Sequence, residues 1–218
     1  MTHTPHLAVP PSRPHARTPW VVGVSGASGT PYAKAVVAGL LAAGHPVDLV
    51  VSRAARLTLL DETGISWHDD EASLATWVGL AGDVSFWGPA DLAAGPSSGS
   101  YPTRGMVVVP ASTAAVAGIA LGLSKDLLQR AASVTLKERR RLVVVPRETP
   151  FDRATLQHLV ELHDAGTVVL PASPGFYGGA SEVQQLVDFV AGKVLDVLEV
   201  QHDLFVRWTG ELGAGRQG

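Results

Sequence analysis

Several short stretches of this chain carry side chains that can bind or move charge, and each follows an apolar run. The first is Ser25-Gly26-Ala27-Ser28-Gly29, where two glycines permit a sharp bend and a close backbone approach. Helix-compatible sequence follows, so its first amides would face the same space as the turn, with a dipole that favours an anion. A phosphate is the natural guest, and Ser25 and Ser28 add hydroxyls that could cap the helix, touch the ligand, or do both. The glycines at 23, 26 and 29 fall short of the dinucleotide fingerprint, and Ser52 stands where the ribose-binding acid would be. Two readings stay open: a phosphate-bearing cofactor, a mononucleotide rather than NAD, or a purely structural turn.

Further along, the turn P-A-S-T-A-A places Ser112, Thr113, Ala114 and Ala115 after another apolar run, as a second phosphate or ring contact. In P-R-E-T-P, Arg147 could grip an anion with both prongs of its guanidinium, and Glu148 could position a proton or a cation. P-A-S-P-G-F-Y-G-G supplies the hydroxyl of Tyr177. Arg130 and Lys137 are seven apart, on one side of a helix and roughly 10 Å distant along it. The run 137–141 (K-E-R-R-R) reads first as a solvated helix end. His158 and His163, five apart, do not share a face as a metal pair would. Neither a complete G-x-S-x-G elbow nor H-E-x-x-H occurs, which removes the sharpest hydrolase signals.

The elements that must position these groups alternate along the chain. Apolar strand candidates at 20–24, 46–51, 106–109, 142–145 and 167–170 alternate with helix candidates at 30–43, 53–62, 113–123, 126–139, 152–165 and 181–198, the last capped by Ser181. Residues 64–102 are less periodic, with a short strand candidate at 83–87 and a small-residue loop at 95–100. The pattern predicts an α/β doubly wound, mostly parallel sheet with helices on both faces, its ligand crevice at the carboxyl ends of the strands. Ser52 then lies on the same rim as the first turn, whereas spacing alone leaves Glu62 on the surface. Residues 105–124 hold no charged side chain, but Pro110 splits a β-branched run from a helical one, predicting a central strand and a buried helix rather than a membrane span. Such a helix should pack closely on another, from this chain or a neighbouring subunit.

At 218 residues, 46% hydrophobic and 17% charged, the chain suits one domain with a sheet buried on both faces and some surface covered by other subunits. Its net charge of −3 gives no general attraction for nucleic acid or anionic membrane. The absence of cysteine excludes disulfides, thiolate metal sites and thiol nucleophiles. Residues 1–18, proline-rich with no acidic residue, read as a disordered tail, 19–210 as the single domain and 211–218 as a second tail. Nothing points outside the cell, so a cytoplasmic location is expected.

Taken together and in order, G-A-S-G, L-K-E-R-R, V-P-R-E-T-P-F and P-A-S-P-G-F-Y resemble the UbiX/Pad-type flavin prenyltransferases over residues 20–208. The resemblance implies a flavodoxin-like domain assembled as a dodecamer, with reduced FMN bound between subunits and no metal. The implied reaction moves a dimethylallyl group from dimethylallyl monophosphate to flavin N5 and closes a ring through C6, giving prenylated FMN for UbiD-type decarboxylases. Carried over by motif, Gly26, Ala27, Ser28, Ser52, Ser112, Thr113, Ala114, Ala115 and Arg147 would hold FMN, with Ser28 near N5. Arg130, Lys137, Arg147, Glu148, Tyr177 and Lys193 would surround the allylic phosphate, and Ser28, Glu62 and Glu148 would be catalytic, Glu62 assisting proton movement. Lys193 stands where many relatives carry arginine, and Leu92 where some carry tryptophan. P-A-S-T-A-A is also similar to the P-A-S-A-N-T of FMN-dependent cysteine decarboxylases, but lacks its asparagine. The competing expectations are such a decarboxylase and a non-catalytic flavin-binding subunit of a decarboxylase complex.

Overall fold

In the computed structural model, residues 17–176, 179–208 and 210 are described. Six strands form one sheet: β1 (Trp20–Val24), β2 (Val47–Val51), β3 (Val84–Phe86), β4 (Gly105–Ala111), β5 (Arg141–Pro146) and β6 (Val168–Val169). Their order is β3-β2-β1-β4-β5-β6 and every pairing is parallel. The chain winds outward in both directions from β1 and β4, so a crevice opens at their carboxyl ends, as doubly wound sheets require. Seven helices cover the faces: α1 (Thr30–Ala42), α2 (Arg53–Thr63), α3 (Glu71–Val78), α4 (Thr113–Ala120), α5 (Leu127–Lys137), α6 (Arg153–Asp164) and α7 (Val183–Val197).

Alternating side chains of each strand feed two cores. Val22, Val24, Leu49, Val51, Val107 and Val143 pack under α1 and α7, while Val21, Val50, Met106, Val108, Leu142 and Val144 pack under α4 and α5. Continuous β-branched runs are what a strand buried on both faces needs. The uncharged α4 packs on α5 and α6 of its own chain. No helix among the described residues is long and apolar enough to cross a membrane.

The elements depart from the sequence expectations in four places. Helix α3 was hidden in the weakly periodic stretch; Asp70 caps it by accepting from Ser73 N, and Trp77 anchors it in the core. Strand β4 continues through Pro110 to Ala111, with a break in register that lets it pass the proline. Glu182, not Ser181, caps α7, in a reciprocal box with Gln185. Finally, Arg17 belongs to the domain rather than to a tail. Its guanidinium meets the fully buried Asp48, the Asp83 carboxylate and the Val47 carbonyl at the amino edge of the sheet.

Candidate active site

The crevice is stapled by Ser25, just past the end of β1. Its hydroxyl donates to Pro110 O at 2.8 Å and accepts from Ser112 N at 2.7 Å, so it fixes the start of α4 against β1. The expected helix cap or ligand contact is therefore a buried cross-strand tie. Gly26 is required by space: a Cβ there would stand 2.4 Å from the Cβ of Ala54, where the first turn brushes past α2. Gly29 precedes α1 with φ of 112° and offers no capping side chain.

Glu62 supplies that cap from 33 residues away. Its carboxylate accepts from Gly29 N at 2.8 Å, from Thr30 N at 2.9 Å and from the Thr30 hydroxyl at 2.6 Å. Burial favours its neutral form, but the hydroxyls of Ser28 and Thr30 and the amides of Gly29 and Thr30 outweigh this and hold its pKa below the ordinary glutamate value. Two expectations change here. Glu62 reaches the rim, and the anion on the first amides of α1 is this side chain, which leaves no room on them for a phosphate.

Space for a ligand lies beside it. A cleft of about 380 Å³ runs from Ser25 and Gly26 to the first turns of α2, α4 and α5. Ser52 caps α2 by accepting from Ala55 N, Ser112 caps α4 by accepting from Ala115 N, and Asp126 caps α5 by accepting from Gln129 N. Both serine hydroxyls keep a hydrogen to donate. Three further lining residues, Arg53, Lys125 and Gln129, escaped the sequence reading. Only the cap pattern S-K-D-L-L before α5 signalled that a helix begins there; nothing local says that it faces the turn after β1.

Arg147 arrives at the rim from β5. Its amide donates to Ala111 O, its Cγ lies 3.8 Å from where a Gly29 side chain would start, and its buried Nε has no partner among the described residues. Glu148 goes the other way, accepting from its own Thr149 N and lining a second hollow of about 460 Å³ with Thr113, Ala114 and His158. Ala27 is buried, and Ser28 is exposed beside Glu62.

The remaining expected site residues do not converge within one chain. Arg130 Nε donates to Ser97 O at 3.0 Å, and Lys137, at the far end of α5, pairs with Glu138 beside Gly99. Lys193 on α7 is 3.4 Å from Asp196, a carboxylate it shares with His202 and Arg207. Leu92 is half exposed in a loop, and Tyr177 lies outside the described residues. Among the described residues no cluster of histidine and carboxylate side chains could hold a metal.

Comparisons with known proteins place the chain in a family. The flavoprotein family matches residues 9–195. A flavin prenyltransferase UbiX from Streptomyces coelicolor is 65% identical over 212 residues, 91% of this chain and 98% of that relative. A UbiX (PadA1) solved in complex with FMN and dimethylallyl pyrophosphate superposes with a TM-score of 0.80 at 36% identity, covering 90% of this chain and all of that one. A dodecameric FMN-dependent UbiX-like decarboxylase from Escherichia coli O157:H7 gives the same TM-score and identity over 88% of this chain and all of its own. The cysteine decarboxylase TvaF, at 15% identity and a TM-score of 0.56, shares the fold alone. The chain therefore belongs to the flavoprotein family and, within it, to the flavin prenyltransferases.

Proposed function

We propose that this enzyme transfers a dimethylallyl group from dimethylallyl monophosphate to N5 and C6 of reduced FMN, and that its product serves a UbiD-type decarboxylase. The observation that supports this reading is the meeting of Gly26, Ser52, Ser112, Ala114 and Ala115 in one cleft, with Arg147 reaching the same rim beside Gly29. A flavin mononucleotide fits that set: its phosphate finds cations and hydroxyls, and its ring finds backbone amides and small side chains. The reported FMN complex of a relative similar over its whole length supports the same ligand.

Reduced FMN, when bound, supplies the nucleophilic nitrogen and carbon. Loss of the allylic phosphate with its electron pair would accompany formation of the N5–C bond and release of the N5 proton, and ring closure would add a proton to the prenyl alkene as C6 bonds to it and releases its own. Glu62 accepts from the Ser28 hydroxyl and fixes it at the rim, and we assign this pair a part in moving one of these protons. Charge growing on the departing phosphate needs fixed donors. Arg147 is in place in each chain, while Arg130, Lys137 and Lys193 stand apart from its crevice; we assign them, with Tyr177 and Glu148, to sites completed by neighbouring subunits. A relative described as dodecameric supports such an assembly. A reducing cytoplasm would keep the flavin acceptor competent.

Incubating the protein with reduced FMN and dimethylallyl monophosphate without oxygen should give a flavin heavier by one prenyl unit. Glu148→Gln should slow the transfer by roughly 10²-fold while flavin still binds. An unchanged flavin mass with the wild-type protein would overturn the assignment.

A further inference from the structure

The small-residue loop that ends at Tyr101 does not line the flavin crevice, yet two arginines of the α5 segment hold it by three of its carbonyls. We propose that this loop is a seat that orients Arg130 and Lys137 toward the allylic phosphate, with Gly99 and Arg140 as its positioning residues; this rests on the donor-phosphate reading of those two cations above.

Arg130 Nε donates to Ser97 O at 3.0 Å, which fixes the plane of the guanidinium and leaves its terminal nitrogens without a protein acceptor among the described residues. Two parallel donors held in this way match a phosphate. The other end of the loop is fastened by Arg140, half-buried just past α5. It donates to Gly99 O at 2.6 Å, to Tyr101 O at 3.0 Å and to the Thr103 hydroxyl at 3.1 Å. Arg139, with φ of 53°, ends α5 in a left-handed cap, and the Arg140 amide returns to Thr135 O at 2.9 Å, so the backbone that carries the clamp is itself fixed. Between the two anchors the chain presses on the Lys137–Glu138 pair: a Cβ at Gly99 would overlap the Glu138 carboxylate and stand 2.7 Å from Lys137 Nζ. Gly99 is not in the left-handed region, so the glycine is needed there for space and not for a turn. The atoms a methyl group would meet are the tips of flexible side chains, so it would displace Lys137 without straining the backbone. One strip of loop thus sets both cations, two turns apart on α5, before a donor arrives, which is what stabilising charge on a departing phosphate requires.

The test is steady-state kinetics of the full chain with reduced FMN and dimethylallyl monophosphate, beside an FMN titration and a urea midpoint for each variant. Gly99→Ala should raise the KM for dimethylallyl monophosphate by roughly tenfold with kcat within about threefold of wild type, because a displaced cation weakens the phosphate contact in the bound and the reacting complex alike. Its FMN affinity should stay within about twofold and its urea midpoint should not move. Arg140→Gln should raise the same KM by a similar factor, and Arg140→Lys should recover part of it. Lys137→Gln sets the scale for loss of the cation itself. Should Arg140→Gln not fold, Gly99→Ala still decides. An unchanged donor KM in Gly99→Ala, beside a raised one in Lys137→Gln, would overturn the positioning role and leave the donor-phosphate reading standing, as would a Gly99→Ala enzyme that loses FMN and donor affinity equally. An unchanged donor KM in Lys137→Gln would bring down that reading and this inference together.

Discussion

Replacing Glu62 by alanine tests whether a residue of α2 caps α1. The change removes three hydrogen bonds, to Gly29 N, Thr30 N and the Thr30 hydroxyl, the last two in a fully buried residue. Losing a capping side chain costs about 0.5–2 kcal/mol, and losing a negative charge at a helix amino terminus about 0.3–1 kcal/mol more. The expected loss is therefore about 1–3 kcal/mol, read as a lower urea midpoint at one fixed protein concentration, which an oligomer requires. Because the folded-state pKa of Glu62 lies below its unfolded value, its contribution is complete above the ordinary glutamate range. It fades as pH falls through the folded pKa. The gap between wild type and Glu62→Ala should thus be widest at neutral pH and close on acidification below pH of about 4. A gap that persists in acid, or no gap at pH 7, would refute the capping role.

Two further outcomes follow from buried polar contacts. Arg17→Ala leaves the buried Asp48 carboxylate facing only its lesser neighbours and should cost about 3 kcal/mol by chemical denaturation. Arg17→Lys should recover only part, since one ammonium cannot span Asp48, Asp83 and Val47 O; a wild-type midpoint in the alanine variant would dismiss the tie. Ser25→Ala strands Ser112 N, while Pro110 O keeps its bond from Ser25 N, so stability should drop by about 1–2 kcal/mol and FMN should bind more weakly as the start of α4 loosens. Unaltered flavin titration in a destabilised variant would show that the crevice does not depend on this staple.

Much of the architecture can be read along the chain. Continuous β-branched runs imply strands buried on both faces, and the alternation with helices implies parallel strands whose carboxyl ends share one rim. Gly26, Ser52, Ser112 and Arg147 each follow such a strand, so their convergence needed only the parallel rule. The ordered motifs identified the family through their combined specificity. Tertiary structure alone decided which neighbour each rim residue faces. That Glu62 caps a helix 33 positions earlier, that Ser25 binds a strand 85 positions later, and that Arg147 turns to Gly29 while Glu148 turns to Thr113 depend on strand order and helix placement. The same holds for Lys125 and Gln129, whose local pattern marks a helix start and nothing more, until the sheet sets α5 beside α2 and α4. Periodicity reports the environment within a turn or a strand, whereas a hydrogen bond across dozens of residues is specified by the packing that brings its two ends together.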